Sequence, residues 1–259
     1  MNKHIEICGL KPAEDSFGNN IFDCYTSGRL YSGYEIEERS DGRFILNGDS
    51  NSYFEPFEEW TTIQKQLSED IEGVILDIGC GGGKHALYFQ EKGFEIYAMD
   101  NSPKAIETCK LRGIRNTIVC DVEHFNMLDK SFRFDNVLFL GNNLGLLQNR
   151  DFFVYFLEVI EGYTNENSNL YLESMNPYGE GFLDEDTVEY VNQNLLQKRL
   201  GGQMHVRVRY KKCVTPWSDY LFLSIEELKE LLHKTNWHLN KIVEDEETSQ
   251  YIAVLKKKS

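Results

Sequence analysis

The sequence predicts an α/β fold built on a mostly parallel sheet, with an antiparallel pair of strands near its end. Short apolar runs alternate with amphipathic helical segments between residues 74 and 174, which is the order of a doubly wound sheet. Two later apolar runs, at residues 237–244 and 250–256, have no helical segment between them and predict a terminal hairpin. Glycines and acidic residues follow several of the predicted strands, at the edge where such sheets bind ligands.

The stretch from Val74 to Asp100 carries the strongest signal for a bound cofactor. It reads V-I-L-D-I-G-C-G-G-G-K-H-A-L-Y-F-Q-E-K-G-F-E-I-Y-A-M-D. A buried strand, a glycine-rich turn, a helix ended by Gly93 and a second strand follow one another, and glycine permits both the sharp turn and the close approach of a ligand. Asp100 ends this unit, where an acid can accept hydrogen bonds from ribose hydroxyls. The stretch therefore predicts a nucleotide-type cofactor site.

The spacing of the glycines chooses between cofactors. An NAD site has the pattern G-x-G-x-x-G, whereas the loop from Gly79 reads G-C-G-G-G-K and places Lys84 at the third glycine position. With Asp77 two residues ahead of the first glycine, the loop resembles the first motif of class I S-adenosylmethionine (SAM) methyltransferases. The resemblance implies a Rossmann-like sheet of seven strands whose last pair is antiparallel, with an N-terminal lid and an insertion after strand five. It also implies SAM as cofactor.

The resemblance implies that the loop holds the amino-acid part of SAM, that the acid after the second strand holds the ribose, and that the acid after the third lies beside the adenine. The predicted SAM-binding residues are Asp77, Gly79, Gly81, Asp100, Asn101, Asp121, Val122 and Asn142.

Local signals place the remaining elements. Ser102 and Pro103 form a helix cap and first turn, and Ser224 with Glu227 forms a capping box. Beyond the glycine unit, strands are predicted at 116–120, 134–140 and 169–174, and helices at 102–112, 151–161 and 224–234.

Two segments flank this core and are predicted to form the acceptor side of the site. Residues 1–70 are predicted as a lid or cap segment before a SAM-binding domain over 71–259, with a cap insertion at about 176–222. Apolar residues recur at helical spacing from Phe17 to Tyr25, which predicts an amphipathic helix that can close over the reactants. The predicted acceptor-binding residues are Phe17, Tyr25, Arg43, Asn176 and Trp217.

Composition limits the partners. A formal charge of −15 disfavours nucleic acid, whose phosphates require a cationic surface, and favours a neutral or cationic acceptor. The six cysteines show no metal-binding spacing, so no metal is expected, and their scattered positions favour a reduced, cytoplasmic protein. No apolar run approaches the about 18 residues of a membrane span, and no membrane partner is expected.

The expected activity is methyl transfer to a small molecule or a modified peptide. The sequence resembles bacterial methyltransferases of small molecules and natural products, and plantazolicin-type peptide N-methyltransferases, which modify an amino-terminal arginine, are one narrow possibility. No general base stands out and no catalytic residue is assigned, which favours a nitrogen acceptor over oxygen. The alternatives are an O-methyltransferase of a small metabolite, an aminopropyltransferase and a non-catalytic SAM-binding protein.

Overall fold

The computed structural model describes residues 2–28, 33–47, 50–179, 184–245 and 248–258. Contacts along the chain divide it into two compact units. Unit 1 comprises Met1–Trp60, Val74–Leu128 and Val206–Ser218, and unit 2 comprises Thr61–Gly73, Asp129–His205 and Asp219–Ser259. The boundary near residue 70 that the sequence suggests between a lid and a SAM-binding domain stays a prediction.

The strands of the described residues are β1 (Lys3–Cys8), β2 (Glu35–Arg39), β3 (Phe44–Asn47), β4 (Ile75–Ile78), β5 (Ile96–Asp100), β6 (Asn116–Cys120), β7 (Phe134–Phe139), β8 (Thr164–Met175), β9 (Gln203–Tyr210), β10 (Cys213–Val214), β11 (Ser218–Leu221), β12 (Trp237–Glu244) and β13 (Gln250–Lys257). The α-helices are α1 (Ser16–Thr26), α2 (Thr62–Ser68), α3 (Lys84–Glu91), α4 (Pro103–Leu111), α5 (Arg150–Glu161), α6 (Glu185–Leu196) and α7 (Ile225–Leu232).

Unit 1 contains four parallel strands of the main sheet, in the order β1-β6-β5-β4. The strands β4 and β5 are buried along nearly their whole length, as expected for parallel strands covered on both faces. Because they run in parallel, their carboxyl ends lie side by side, and this edge carries Asp77 and Asp100. Unit 1 therefore brings the two acids of the glycine unit to one edge.

Unit 2 contains the other half of the sheet. Strand β7 pairs in parallel with β8, and β13 and β12 then continue antiparallel, which confirms the predicted terminal hairpin. The capping box at the start of α7 is also confirmed, since Ser224 and Glu227 satisfy each other's backbone amides.

Within the part of the chain that the structure describes, the mixed sheet has eight strands rather than the predicted seven. The additional strand is β1, whose sequence K-H-I-E-I-C contains no continuous apolar run and which pairs with β6 alone at the edge of the sheet. An edge strand is partly exposed, so its burial pattern is weak and its sequence does not mark it as a core strand.

A smaller antiparallel sheet runs in the order β10-β9-β2-β3. The hairpin of β2 and β3 turns at Asp41 and Gly42, a dipeptide that is typical of such turns. The strand β9 alternates buried and half-buried residues, and the half-buried residues are His205, Arg207 and Arg209.

Helix α1 confirms the helix predicted from Phe17 to Tyr25 and packs on α4. Its cap residue Asp15 is buried and accepts hydrogen bonds from Gly18 N, Ser102 Oγ and Lys104 N. One carboxylate therefore caps α1 and fixes the start of α4. Among the helices of the described ranges, none has both the length and the apolar character of a membrane span.

Candidate cofactor-binding site

The glycine loop of unit 1 begins where β4 ends. The amides of Gly79 and Cys80 both donate to the carbonyl oxygen of Met99, at 2.8 and 3.0 Å, so the loop stays attached to β5. Gly81 and Gly83 have left-handed φ angles of 53° and 77°, which disfavour other residues. Gly83 is also the cap residue of α3. The sequence therefore forms a tight turn that leads directly into a helix.

Asp100 holds the loop from the end of β5. Its carboxylate oxygens accept hydrogen bonds from the amides of Gly81 and Ser102, each at 2.9 Å. Burial raises the pKa of Asp100 to about 6, and the two amide hydrogen bonds oppose that rise. Each carboxylate oxygen has a further lone pair, so Asp100 can still accept hydrogen bonds from a ligand.

Asp77 lies at the start of the loop and is 1% exposed. Its Oδ2 atom has no hydrogen-bond partner among the described residues. Burial raises the pKa of Asp77 to about 7, and the nearby Asp100 adds to this effect, while Lys84 opposes it. A buried carboxylate oxygen without a donor favours a ligand with a positively charged N–H group.

Asp121 follows β6 at the same edge of unit 1. Its Oδ2 accepts a hydrogen bond from Asn101 Nδ2 at 3.1 Å, and its Oδ1 caps the 3-10 turn Val122–Met127 through Glu123 N at 2.8 Å. The structure thus brings together seven of the eight predicted cofactor residues in unit 1: Asp77, Gly79, Gly81, Asp100, Asn101, Asp121 and Val122.

These residues fit the chemistry of SAM. The amino-acid part of SAM carries an ammonium group that would supply the donor missing at Asp77 Oδ2. The hydroxyl and amino donors of its nucleoside match the carboxylates of Asp100 and Asp121.

Within the described ranges, no three His, Cys, Asp or Glu side chains are grouped as metal ligands would be.

The N-terminal segment packs directly on the glycine loop, a feature that sequence reasoning did not locate. A Cβ atom on Gly81 would lie 2.8 Å from Tyr53 Cδ1, and one on Gly82 would lie 2.8 Å from Phe54 Cε1. Lys84 Nζ and Glu55 Oε2 form an ion pair at 3.2 Å. The glycines therefore admit the protein's own aromatic side chains, and the many aromatics before residue 60 were the available signal.

His85 follows the loop but is not placed as a base. Its ring is buried and meets the ring of Trp60 edge-on, with 4.6 Å between the ring centroids. Burial lowers the pKa of His85 well below its usual value, and Lys84 adds to this effect. The imidazole is therefore neutral and serves the packing of α3.

The predicted acceptor residues of unit 1 lie in different settings. Phe17 and Tyr25 are on α1, and the ring of Tyr25 lies 5.7 Å from that of Phe54. Arg43 follows the turn of the β2–β3 hairpin, where its amide donates to Asp41 Oδ1. The guanidinium carbon of Arg207 lies over the ring of Trp217, 4.6 Å from the centroid of that ring. Tyr25 thus belongs to the aromatic group beside the glycine loop.

In unit 2, Asn142 follows β7 in an unusual backbone conformation. Its φ angle is 63°, and its carbonyl oxygen accepts a hydrogen bond from Tyr220 Oη at 2.8 Å. Its side-chain Oδ1 is buried and has no partner among the described residues. Left-handed non-glycine residues cluster at functional sites. Asn176, by contrast, uses its side-chain oxygen locally, to accept from the amide of Tyr178.

A buried carboxylate lies beside Asn142. Glu173 Oε2 accepts hydrogen bonds from Gly141 N and Gln64 Nε2, both at 2.8 Å. The Oε1 atom of Gln64 is buried without a partner in the described part of the chain. Two amide oxygens, on Gln64 and Asn142, can therefore accept hydrogen bonds from a ligand. Gln64 lies about a hundred residues from Glu173 in sequence, so no local pattern could reveal the pair.

Unit 2 also pairs His205 with a carboxylate. His205 Nδ1 lies 2.8 Å from Asp219 Oδ1, and Gln203 and Arg199 contact the same carboxylate. A carboxylate at one ring nitrogen orients a histidine and favours its use as a base at the other. The two residues are fourteen positions apart in the sequence, so no local pattern revealed this pair.

Comparison with known proteins agrees with this geometry. Residues 76–141 match a family model described as a methyltransferase domain. A crystal structure of a SAM-dependent methyltransferase from Bacteroides fragilis, in complex with S-adenosyl-L-homocysteine, superposes with a TM-score of 0.79 and 21% identity. The superposition covers 96% of this chain and 98% of that one.

Two curated relatives each match about a third of the chain. A probable cobalt-precorrin-6B C(15)-methyltransferase (decarboxylating) of Methanococcus maripaludis is 32% identical over 85 residues, which are 32% of this chain and 47% of that protein. An uncharacterized methyltransferase of Staphylococcus carnosus is 31% identical over 88 residues, 34% of this chain and 40% of that protein. The chain thus spans less than half the length of either relative.

The family match lies on the glycine loop and on the strands that hold Asp77, Asp100 and Asp121. The likeness to the Bacteroides fragilis structure extends over nearly the whole chain and shows the fold. The chain therefore has the Rossmann-like class I methyltransferase fold, and its residues 76–141 match a methyltransferase domain.

Proposed function

We propose that this chain is a SAM-dependent methyltransferase that modifies a small-molecule or peptide acceptor, with nitrogen favoured as the methylated atom. The observation that carries the proposal is the buried Oδ2 atom of Asp77, which has no donor among the described residues and lies beside a glycine loop anchored by Asp100. The match of residues 76–141 to a methyltransferase domain supports it.

The residues of unit 1 that would hold SAM are Asp77, Gly79, Gly81, Asp100, Asn101, Asp121 and Val122. When bound, SAM supplies an electrophilic methyl group on a sulfonium. The protein's own task is to fix the acceptor lone pair in line with the bond that breaks, which turns a bimolecular encounter into an oriented one. The segment that packs on the glycine loop would help to exclude water.

The class of acceptor is proposed from the charge of the N-terminal segment and from the residues that would contact the acceptor. Residues 1–72 contain fifteen Asp or Glu and six Lys or Arg, a net charge of −9, which suits a neutral or cationic acceptor. Phe17, Tyr25, Arg43, Asn176 and Trp217 remain the proposed contacts. An amine of a natural product, such as the terminal arginine of a modified peptide, fits this charge. The six cysteines are not joined in disulfide bonds, which supports a reducing, cytoplasmic setting.

A binding and product screen tests this function. Affinities for SAM, decarboxylated SAM and NAD separate a methyltransferase from an aminopropyltransferase and from an NAD enzyme. Incubation with SAM and a panel of amines, phenols and arginine-ended peptides should give a mass gain of one methyl group on an amine. Binding of SAM with no methylated product from any acceptor class would favour a non-catalytic SAM-binding protein.

O-methylation is the second candidate, and the His205–Asp219 pair favours it. An oxygen acceptor must lose a proton, and a histidine oriented by a carboxylate can remove it. With a phenol acceptor, His205→Gln should lower kcat by about a hundredfold or more, the usual contribution of a general base. With an amine acceptor the same variant should leave kcat nearly unchanged. That result would exclude His205 as a base in the reaction with the amine.

A further inference from the structure

Unit 1 contains a second buried acidic group, separate from the glycine loop. Glu35, the first residue of β2, is 4% exposed, and Asn20 on helix α1 is 2% exposed. Neither residue belongs to the predicted cofactor or acceptor sets. Buried polar side chains need hydrogen-bond partners. The hydrogen bonds that this pair already makes therefore show which kind of partner it still needs.

The pair is rich in acceptors and poor in donors. Asn20 Nδ2 donates to Glu35 at 2.9 Å and to the carbonyl oxygen of Gly33 at 3.3 Å, which uses the only donor group of the amide. The Oδ1 atom of Asn20 is buried and has no partner among the described residues. Ser50 Oγ donates to the same carbonyl of Gly33 at 3.1 Å, so that hydroxyl is also in use.

The charge of Glu35 has no cation at hydrogen-bonding distance in the described ranges. Burial raises the pKa of Glu35 to about 7, the Asn20 hydrogen bond opposes the rise, and the neighbouring Glu37 adds to it. A buried carboxylate without a cation is costly, and a cationic ligand would remove that cost. A water molecule could donate hydrogen bonds to Asn20 Oδ1 and to a carboxylate oxygen of Glu35, but it would leave the charge of Glu35 uncompensated.

The pair lies next to elements that cover the glycine loop. Ile21 follows Asn20 on α1, and its Cδ1 would lie 3.7 Å from a Cβ atom on Gly81. Ser50 begins the 3-10 turn Ser50–Phe54, which also contains Tyr53, the aromatic residue packed on Gly81. A Cβ atom on Gly33 would lie 2.2 Å from Asn20 Oδ1 and 2.6 Å from Tyr210 Cε2, so the Gly33 backbone packs against both side chains. The acceptor-rich pair therefore shares its supporting elements with the loop.

We propose that Glu35 and Asn20 form a recognition site for a cationic N–H group of the acceptor, an ammonium or amidinium, with Glu35 as the counter-ion and Asn20 Oδ1 as the second hydrogen-bond acceptor. This inference rests on the proposed methyltransferase function, since it assigns the substrate class of that enzyme. Glu35 and Asn20 are positioning residues for the acceptor.

The test uses benzylamine and benzamidine as cationic probes, with benzyl alcohol and benzoate as neutral and anionic controls of similar shape. Binding to the full chain is measured by calorimetry in the presence of saturating S-adenosyl-L-homocysteine. The cationic probes should bind at least about tenfold more tightly than the controls, because only they provide a charged donor. Equal binding of benzyl alcohol or benzoate would overturn the inference.

The variant Glu35→Gln removes the charge and keeps the shape, and Glu37→Gln removes one charge two residues along the same strand. The first should weaken the cationic probes at least about tenfold, while the second should change their binding by less than about twofold. Equal losses in both variants would show a general effect of net charge and contradict the assignment. The affinity for SAM is measured on the same samples. If the unaltered chain binds SAM but not the cationic probes, only this inference fails. If the unaltered chain does not bind SAM, the proposed function fails.

A measurement on the unaltered chain keeps the test independent of how well the variant folds. Benzylamine should shift the side-chain amide resonances of Asn20 in a nitrogen-labelled sample, whereas benzyl alcohol should not. Absence of a shift at Asn20 under saturating benzylamine would overturn the proposal.

Discussion

The carboxyl group of Asp77 lies in an environment that disfavours its charged form. Its burial and the neighbouring Asp100 raise its pKa to about 7, and its Oδ2 atom has no donor among the described residues. Such an arrangement lowers the stability of the ligand-free protein and becomes favourable when a cation binds. Loss of stability in exchange for function is common at binding sites.

The variant Asp77→Asn tests this trade-off. An acid whose pKa is raised on folding binds more protons in the native state, so its contribution to the free energy of unfolding falls as the pH rises from about 4 to about 7. At pH 8, Asp77→Asn should therefore be more stable by about 1 kcal/mol or more, about 2–4 °C in Tm, while its SAM affinity falls at least about tenfold. Thermal unfolding and calorimetry measure the two effects, and a variant that is less stable at pH 8 contradicts this role of Asp77.

The same carboxyls predict how cofactor binding depends on pH. The pKa of Asp77 is raised to about 7 and that of Asp100 to about 6, so both lose charge as the pH falls from 8 to about 5.5. SAM should bind at least several-fold more weakly at the lower pH, because its ammonium then meets neutral acids. Asp77→Asn should flatten this dependence, and an affinity that rises as the pH falls would be inconsistent with these roles.

At the scale of secondary structure, local signals predicted the helices well. Ser102 accepts from the amide of Ala105 with Pro103 in the first turn of α4, and Ser224 forms its capping box, as their sequences indicate. Strand β1 was missed because an edge strand needs no apolar run. The short helix α2 was missed because only three of its seven residues, Ile63, Gln64 and Leu67, are buried.

The glycine loop gives a prediction at this scale. Gly81→Ala combines a left-handed backbone with a Cβ atom 2.8 Å from Tyr53, so it should disrupt the packing of the N-terminal segment on the loop. Gly42→Ala is the matched control, since Gly42 also has a positive φ, of 91°. Among the described residues other than its chain neighbours, no atom lies within 4 Å of the position that an alanine Cβ would take there. Each substitution should cost about 1 kcal/mol or more of stability through backbone strain alone.

Only Gly81→Ala should weaken SAM binding, by about tenfold or more, because the methyl group displaces the loop as well as straining it. Calorimetry on both variants measures the difference. Equal SAM affinities in Gly81→Ala and the unaltered chain would show that the loop does not contact the cofactor.

At the scale of the whole molecule, the sequence predicted the donor side of the reaction better than the acceptor side. Asp77, Gly81 and Asp100 lie within 24 residues of one another, so their spacing alone indicates a cofactor site. The pairs Glu173–Gln64 and Asp219–His205 join different elements of unit 2, and Glu35–Asn20 joins a strand to a helix in unit 1. Contacts of this kind depend on tertiary packing and leave no periodic pattern in the sequence.

The net charge of −15 and the acidic N-terminal segment act over the same scale. A cationic acceptor should be attracted at low ionic strength, because exposed charges are screened beyond about 8 Å at physiological salt. The KM for an arginine-ended peptide or another cationic acceptor should therefore rise with salt, while that for a neutral acceptor should stay constant. Steady-state kinetics at about 0.02 M and about 0.5 M salt measure the effect. A KM for the cationic acceptor that is independent of salt would contradict electrostatic attraction.

Titration of SAM into the unaltered chain and into Asp100→Ala tests the central claim most directly. The claim is that the loop from Gly79 to Gly83, anchored by Asp100, binds SAM. Saturable binding with a micromolar Kd is predicted for the unaltered chain, and at least about tenfold weaker binding for the folded variant, because it loses the ribose hydrogen bonds and the anchor of Gly81. Equal affinities in the two proteins, or no binding of SAM by the unaltered chain, would contradict it.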